Sequence, residues 1–181
     1  MRLFTAIEIP TQMKARLGAF VDRVRPAAKL SWSPVDNLHV TTKFIGEWPN
    51  TNLSQLKDVL ASVPRPGPVE IVVRGLGWFP NTKNPRVFWA GIEVNEPLRQ
   101  LAVNTEQALA AIGVPVEERG FHPHLTLARR REPMPLDHLR RILDSLSPDS
   151  SDFGTFSAIS FFLYLSAAGK YTKLEEFSLE A

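Results

Sequence analysis

Leu38-His39-Val40-Thr41-Thr42-Lys43-Phe44-Ile45-Gly46 alternates two sets of side chains. As a strand, it puts Leu38, Val40, Thr42 and Phe44 on one face and His39, Thr41, Lys43 and Ile45 on the other. Gly46 closes it. The pattern His-x-Thr returns at His124-Leu125-Thr126, inside Phe121–Arg129, which also reads as a strand. Residues two apart on a strand share a face, so each histidine stands beside its threonine on a sheet surface. A helical pattern follows each strand. The chain therefore reads as two similar half-domains, each delivering one His-x-Thr strand. If the halves face each other, two imidazoles and two hydroxyls converge.

The flanks supply the rest of an α/β pattern. Arg2–Ile9 is rich in β-formers, and Pro10 suits the first turn of a helix. Met13, Leu17, Phe20, Val21 and Val24 then recur at helical spacing up to Pro26. Thr51 or Asn52 is placed to cap a helix carrying Leu53, Leu56, Val59, Leu60 and Val63. Pro64–Pro68 and Pro80–Pro85 read as loops, with strands at Val69–Val73 and Arg86–Val94. Leu98, Leu101, Ala102, Thr105, Leu109 and Ile112 predict a helix that Gly113 stops. Leu136–Leu146 predicts another helix. Phe153–Leu165 and Tyr171–Leu179 read as the last two strands, joined by the turn at Ala168-Gly169-Lys170. This mixed order suits antiparallel sheet with packed helices rather than continuous βαβ winding. No linker separates independent domains, so residues 1–181 are expected to form one domain of two pseudo-symmetric lobes.

Composition narrows the class. The chain has 181 residues, 44% of them hydrophobic and 22% charged, which fits a globular protein and excludes a disordered chain or a coiled-coil rod. There is no cysteine, which removes disulfides, thiolate metal sites and cysteine nucleophiles. No apolar run approaches the ~18 residues of a membrane span. The opening Met1–Pro10 reaches a glutamate and a proline too early for a signal peptide, so a cytoplasmic protein without membrane attachment is expected. Lys plus Arg is 21 against 19 for Asp plus Glu, a net charge of +2. That is not the basic surface of a protein that coats nucleic acid. The local exception is Arg129-Arg130-Arg131.

Paired imidazoles have a defined chemical use. With an ordinary pKa of ~6.5, one can be neutral and the other protonated at neutral pH. The neutral ring takes a proton from water, and the charged ring gives one to a leaving oxygen. Threonine hydroxyls can donate to phosphoryl oxygens. In-line attack at phosphorus needs acid and base on opposite sides of the phosphorus. On the residues alone, His39 and His124 read equally well as ordinary half-buried strand histidines.

The segments Trp32–Gly46 and Phe121–Arg129 together resemble the two signatures of the two-histidine (2H) phosphoesterase superfamily. They most resemble its bacterial and archaeal RNA 2′,3′-cyclic phosphodiesterase branch, once described as 2′-5′ RNA ligases. Arg2–Ile7, Gly75–Pro80 and Pro85–Gly91 carry the likeness nearly end to end. The resemblance implies a bilobal α+β fold, with two antiparallel sheets lining a V-shaped cleft and helices outside. It implies His39 as proton donor to the leaving ribose oxygen and His124 as the base that activates water. Thr41 and Thr126 would bind the phosphate, with Arg129 beside them. The expected activity is metal-independent hydrolysis of RNA 2′,3′-cyclic phosphate ends to 2′-phosphomonoesters, with 2′-5′ ligation as the reverse. The expected partners are RNA 3′ ends or small cyclic nucleotides, with no cofactor and a monomeric chain. The alternatives are a nucleotide or RNA-end binding module without turnover, and an enzyme acting on 2′-5′ oligonucleotides.

Two positions depart from the family pattern. Thr42 stands where leucine is usual, and alternation sends its hydroxyl into the apolar face, where it needs a backbone partner. Ser33 stands where an arginine is common. Other residues carry competing readings. His122-Pro123-His124 can be a metal pair, but zinc needs more ligands, and His122 reads rather as structural. His138 falls on a polar helix face. Lys43 reads as a strand-end lysine at the surface, with a phosphate contact as the rival. Strict alternation puts Arg130, not Arg129, on the face of His124, unless a bulge swaps them. Trp32, Phe121 and Tyr171 are candidates to stack on a base. Trp78, Phe79, Phe88 and Trp89 read as core and hairpin residues.

Overall fold

A computed structural model describes residues 1–180. Among the described residues nine strands form two antiparallel sheets. The first contains β1 (Arg2–Glu8), β3 (His39–Glu47), β8 (Ser160–Ala167) and β9 (Lys170–Ser178), in the order β3-β1-β8-β9. The second contains β2 (Ser31–Trp32), β4 (Val69–Phe79), β5 (Val87–Ile92), β6 (His124–Arg129) and β7 (Asp152–Ala158), in the order β2-β6-β5-β4-β7. This is the predicted α+β class with two sheets. The two His-x-Thr strands fall in different sheets, and β3 and β6 approach to within 8 Å, Cα to Cα.

The helices bury the stripes their spacing predicts. α1 (Thr11–Val24) buries Met13, Leu17, Phe20, Val21 and Val24. α3 (Glu96–Ala110) is capped by Asn95, whose Oδ1 accepts from the Leu98 N–H at 3.0 Å. Gly113 follows with φ +93°, the left-handed turn that lets the chain leave the helix. α2 (Leu53–Ala61) has no side-chain cap: Thr51 Oγ1 donates to Asn52 Oδ1 instead, so the predicted cap does not form. α4 (Asp137–Ser145) buries Leu139. One apolar core draws on both sheets, with Leu3 and Leu163 from the first and Ile71, Phe88 and Leu125 from the second. A smaller cluster of Phe4, Ala6, Phe162 and Tyr164 lies apart from it, on the other face of the first sheet. Among the described residues no helix is long and apolar enough to cross a membrane.

Three strand assignments change. Phe153–Leu165 is two strands, not one: β7 completes the second sheet, and β8 begins the crossing into the first just after exposed Ile159. No glycine or proline marks that crossing, and both strands bury apolar residues, so the run looks continuous. β4 runs on to Phe79 rather than ending at Val73. β6 starts at His124, directly after Pro123, which has no N–H for the ladder.

The decisive irregularity is shared by both histidine strands. Against β1, Thr5 pairs with Lys43 but Ala6 pairs with Thr41, which leaves Thr42 as an extra residue. Against β5, Phe88 pairs with Ala128 but Trp89 pairs with Thr126, which leaves Leu127 extra. Each bulge sits three places after its histidine (42 − 39 and 127 − 124). A bulge reverses the alternation beyond it. Lys43, Ile45 and Ala128 therefore turn inward, while Phe44 and Arg129 return to the histidine faces. Lys43 and Ile45 thus leave the face they were assigned from alternation, and Phe44 takes their place.

Candidate active site

His39 and His124 are held in the same way. The Nδ1–H of His39 donates to the Asn37 carbonyl at 2.6 Å, and the Nδ1–H of His124 donates to the His122 carbonyl at 2.7 Å. A carbonyl only accepts, so each ring carries its proton on Nδ1 and keeps Nε2 as the working nitrogen. Among the described residues neither Nε2 has a hydrogen-bond partner. Thr41 and Thr126 follow on the same faces, half-buried like the histidines.

Aromatic rings fix both imidazoles. The His39 ring lies 4.7 Å from Phe4, tilted by 30°, and meets Tyr171 edge-on at 5.1 Å. Ala6 separates Phe4 from Glu8, the β1 partner of His39. Phe4 in turn stacks on Tyr164 at 5.2 Å. On the other sheet, His124 meets the Phe79 ring edge-on at 4.9 Å and lies 6.4 Å from Trp89. Phe79 and Trp89, expected as core and hairpin residues, do sit on the β4–β5 hairpin, but they wall the site and are not buried in the core. Gly77 makes this possible, because a Cβ there would overlap the Trp89 indole. Trp32 and Phe121 pack against the core, and Trp32 Nε1 donates to Ala28 O. Of the stacking candidates, Tyr171 alone borders a histidine of the site. Sequence reading missed Phe4, Tyr164 and Phe44. Phe44 is 60% exposed on the His39 face.

The arginine run divides its work. Arg130 donates to Met134 O and reaches Asn84 Oδ1, and Arg131 donates to Ser31 Oγ, so both tie down neighbouring loops. Arg129 has no such partner among the described residues and projects from the His124 face, where its charge acts on His124. Lys43 is not a surface lysine: it is 6% exposed, and its ammonium is taken up by Glu106. The Thr42 hydroxyl finds the Thr5 hydroxyl at 2.8 Å, a side-chain partner rather than the expected backbone one. His122 and His138 are exposed. Among the described residues no group of three or more His, Cys, Asp or Glu side chains is placed to hold a metal ion. A pocket of about 430 Å³ opens beside His39, walled by Glu8, Lys14, Asn37, Tyr164, Tyr171 and Lys173.

Both histidines titrate below their ordinary value. For His39, burial is the main cause; the Asn37 carbonyl opposes it, and the charge of His124 adds to it. For His124, burial again leads, opposed by the His122 carbonyl, and the charges of Arg129 and His122 lower it further. The free cleft thus favours neutral rings, and an anion between them would restore a proton.

The chain is similar to known proteins over most of its length. The family model of LigT-like phosphoesterases matches residues 7–89 and 92–162. An RNA 2′,3′-cyclic phosphodiesterase of Thermus thermophilus is 38% identical over 146 residues, 75% of this chain and 71% of that protein. One from Methanocaldococcus jannaschii is 30% identical over 167 residues, 92% of this chain and 91% of that protein. Among solved structures, Escherichia coli LigT complexed with 3′-AMP aligns with a TM-score of 0.77 at 25% identity, covering 98% of this chain and 97% of that one. A Thermus thermophilus structure aligns with a TM-score of 0.80 at 32% identity, covering 99% of this chain and 98% of that one. With two matched histidine strands on two facing sheets, and relatives alike over most of its length, the chain belongs to the LigT-like phosphoesterase family of two-histidine enzymes.

Proposed function

We propose that the protein hydrolyses 2′,3′-cyclic phosphate at RNA ends to the 2′-phosphomonoester. The observation that carries this reading is the matched pair of imidazoles, each locked through Nδ1 with a free Nε2 and a threonine beside it. The names of the two relatives and the 3′-AMP complex of LigT support the substrate class. Both histidines and both threonines come from one chain, so the site needs no second copy. We read that chain as one domain of two pseudo-symmetric lobes, which the shared core and the matched bulges support.

The chemistry divides as follows. Water attacks phosphorus and loses its proton to His124 Nε2. The bond to the 3′ oxygen breaks, and that oxygen takes the proton of His39 Nε2. The two rings end with their protonation exchanged, and solvent resets them. Acid and base are both imidazole, so the step needs no metal. The charges lowering His124 include the Arg129 cation, which favours the neutral ring a base requires. For His39 the charge that lowers the pKa is that of His124. Thr41 and Thr126 donate to the non-bridging oxygens, with Arg129 adding charge. In-line geometry puts the ribose on the side of the leaving oxygen, hence beside His39, where the 430 Å³ pocket lies. A ribonucleotide 5′-hydroxyl in place of water would give the 2′-5′ linkage.

The pH dependence follows from the signs. The active form has His39 protonated and His124 neutral, so kcat/KM falls as pH rises through one pKa and as it drops through the other. Both lie below the ordinary value of 6.5, so the kcat/KM optimum is expected on the acid side of it. Bound phosphate raises both pKa values, so the kcat optimum moves to higher pH. Initial rates across pH on a short RNA ending in a 2′,3′-cyclic phosphate, with EDTA present, test both statements. Failure to open the cyclic end at any pH would refute the proposal. Arg129→Ala is expected to raise KM roughly tenfold, the loss of one charge-assisted contact. It should also move the acid limb of kcat/KM upward, because His124 loses a cationic neighbour.

A further inference from the structure

Lys43 is the one charged side chain that the core encloses among the described residues. Its Nζ lies 2.8 Å from Glu106 Oε2 and donates to the Pro115 carbonyl at 2.7 Å. Glu106 Oε1 accepts from the backbone N–H of Glu117 at 2.5 Å. Glu106 belongs to α3, and Pro115 and Glu117 belong to the connector that leads from α3 to His122-Pro123-His124. Lys43 itself comes from β3, directly after the Thr42 bulge. One side chain on the first histidine's strand thus grips the segment that delivers the second.

The other sheet offers an internal comparison. The position after its bulge is Ala128, fully buried. A bulged histidine strand therefore accepts a small apolar residue there, and nothing in the strand's own packing demands a lysine. Burying an ion pair is a poor way to gain stability, because desolvation offsets the attraction. What such a pair does supply is a fixed geometry, and acid and base must be placed closely for in-line transfer. A misplacement of ~1 Å can cost about 10²-fold in rate.

We infer that Lys43 and Glu106 are positioning residues that set the separation of His39 and His124 across the cleft; this rests on the two-histidine reading proposed above. The test uses Lys43→Met/Glu106→Gln, which removes both charges together, and Glu106→Gln alone, which keeps an acceptor for Glu117. In the folded double variant kcat is expected to fall roughly 10- to 100-fold while KM stays within about twofold. The His124 ring proton resonances should move from their wild-type positions, while those of exposed His138 stay. Glu106→Gln should show a smaller change of the same kind, and it decides the matter if the double variant does not fold. A folded variant with wild-type kcat and unmoved His124 resonances would overturn the inference. If the wild type itself leaves cyclic RNA ends intact, the proposed function fails, and the resonances alone then decide whether the pair positions His124.

Discussion

His124→Ala and His39→Ala are each expected to lower kcat on a 2′,3′-cyclic phosphate by about 10³-fold, within the range for loss of a general acid or base. Neither change should unfold the protein, because both rings are half-buried and each gives up one hydrogen bond to a backbone carbonyl. The two variants should part company on a different substrate. An acyclic nucleoside phosphodiester with a p-nitrophenol leaving group needs no proton on departure. His39→Ala should recover most of its lost activity on that substrate, and His124→Ala should not. Equal rescue of both, or of neither, would mean that acid and base are not divided as proposed. Steady-state rates on the two substrates for three proteins are enough to decide it.

Gly91→Ala is expected to cost about 2 kcal/mol of stability, as overpacking in a close-packed site does. Gly91 pairs with His124 across β5 and β6. A Cβ on it would overlap the Arg74 carbonyl oxygen, which is backbone and cannot swing aside. The conflict arises where β4 slips register against β5 between Val73 and Leu76. For a chain of this size the loss corresponds to a melting point lower by roughly 4–8 °C. The strand partner of His124 has to shift to make room, so kcat should fall as well. A thermal melt that matches the wild type would show that β4 and β5 have slack at this point.

Much of this architecture can be read from the chain, and the failures have one physical origin. The apolar stripe of α1, the Gly113 stop and the His-x-Thr faces depend on local periodicity, and local periodicity is written in sequence. The bulges depend on how a strand registers with its partner. Thr42 is extra only because Ala6 pairs with Thr41 while Thr5 pairs with Lys43. That one event buries Lys43 and turns Phe44 outward, against strict alternation. A signal was present: the three polar residues Thr41-Thr42-Lys43 and the apolar pair Leu127-Ala128 lie at matching places, and such runs break a period of two. The choice between Arg129 and Arg130 turned on the same event, and the bulge puts Arg129 beside His124. Phe79 and Trp89 lie on the expected hairpin but line the cleft instead of the core, for a related reason. An aromatic residue reads as core until Gly77 is seen to make room for the indole on the cleft face.

The most direct measurement is phosphorus NMR of a short RNA 2′,3′-cyclic phosphate incubated with the wild-type protein in EDTA. The cyclic resonance is expected to give way to that of a 2′-phosphomonoester alone, because His39 protonates the 3′ oxygen as it leaves. A 3′-phosphomonoester, or an unchanged cyclic resonance with active protein, would contradict it.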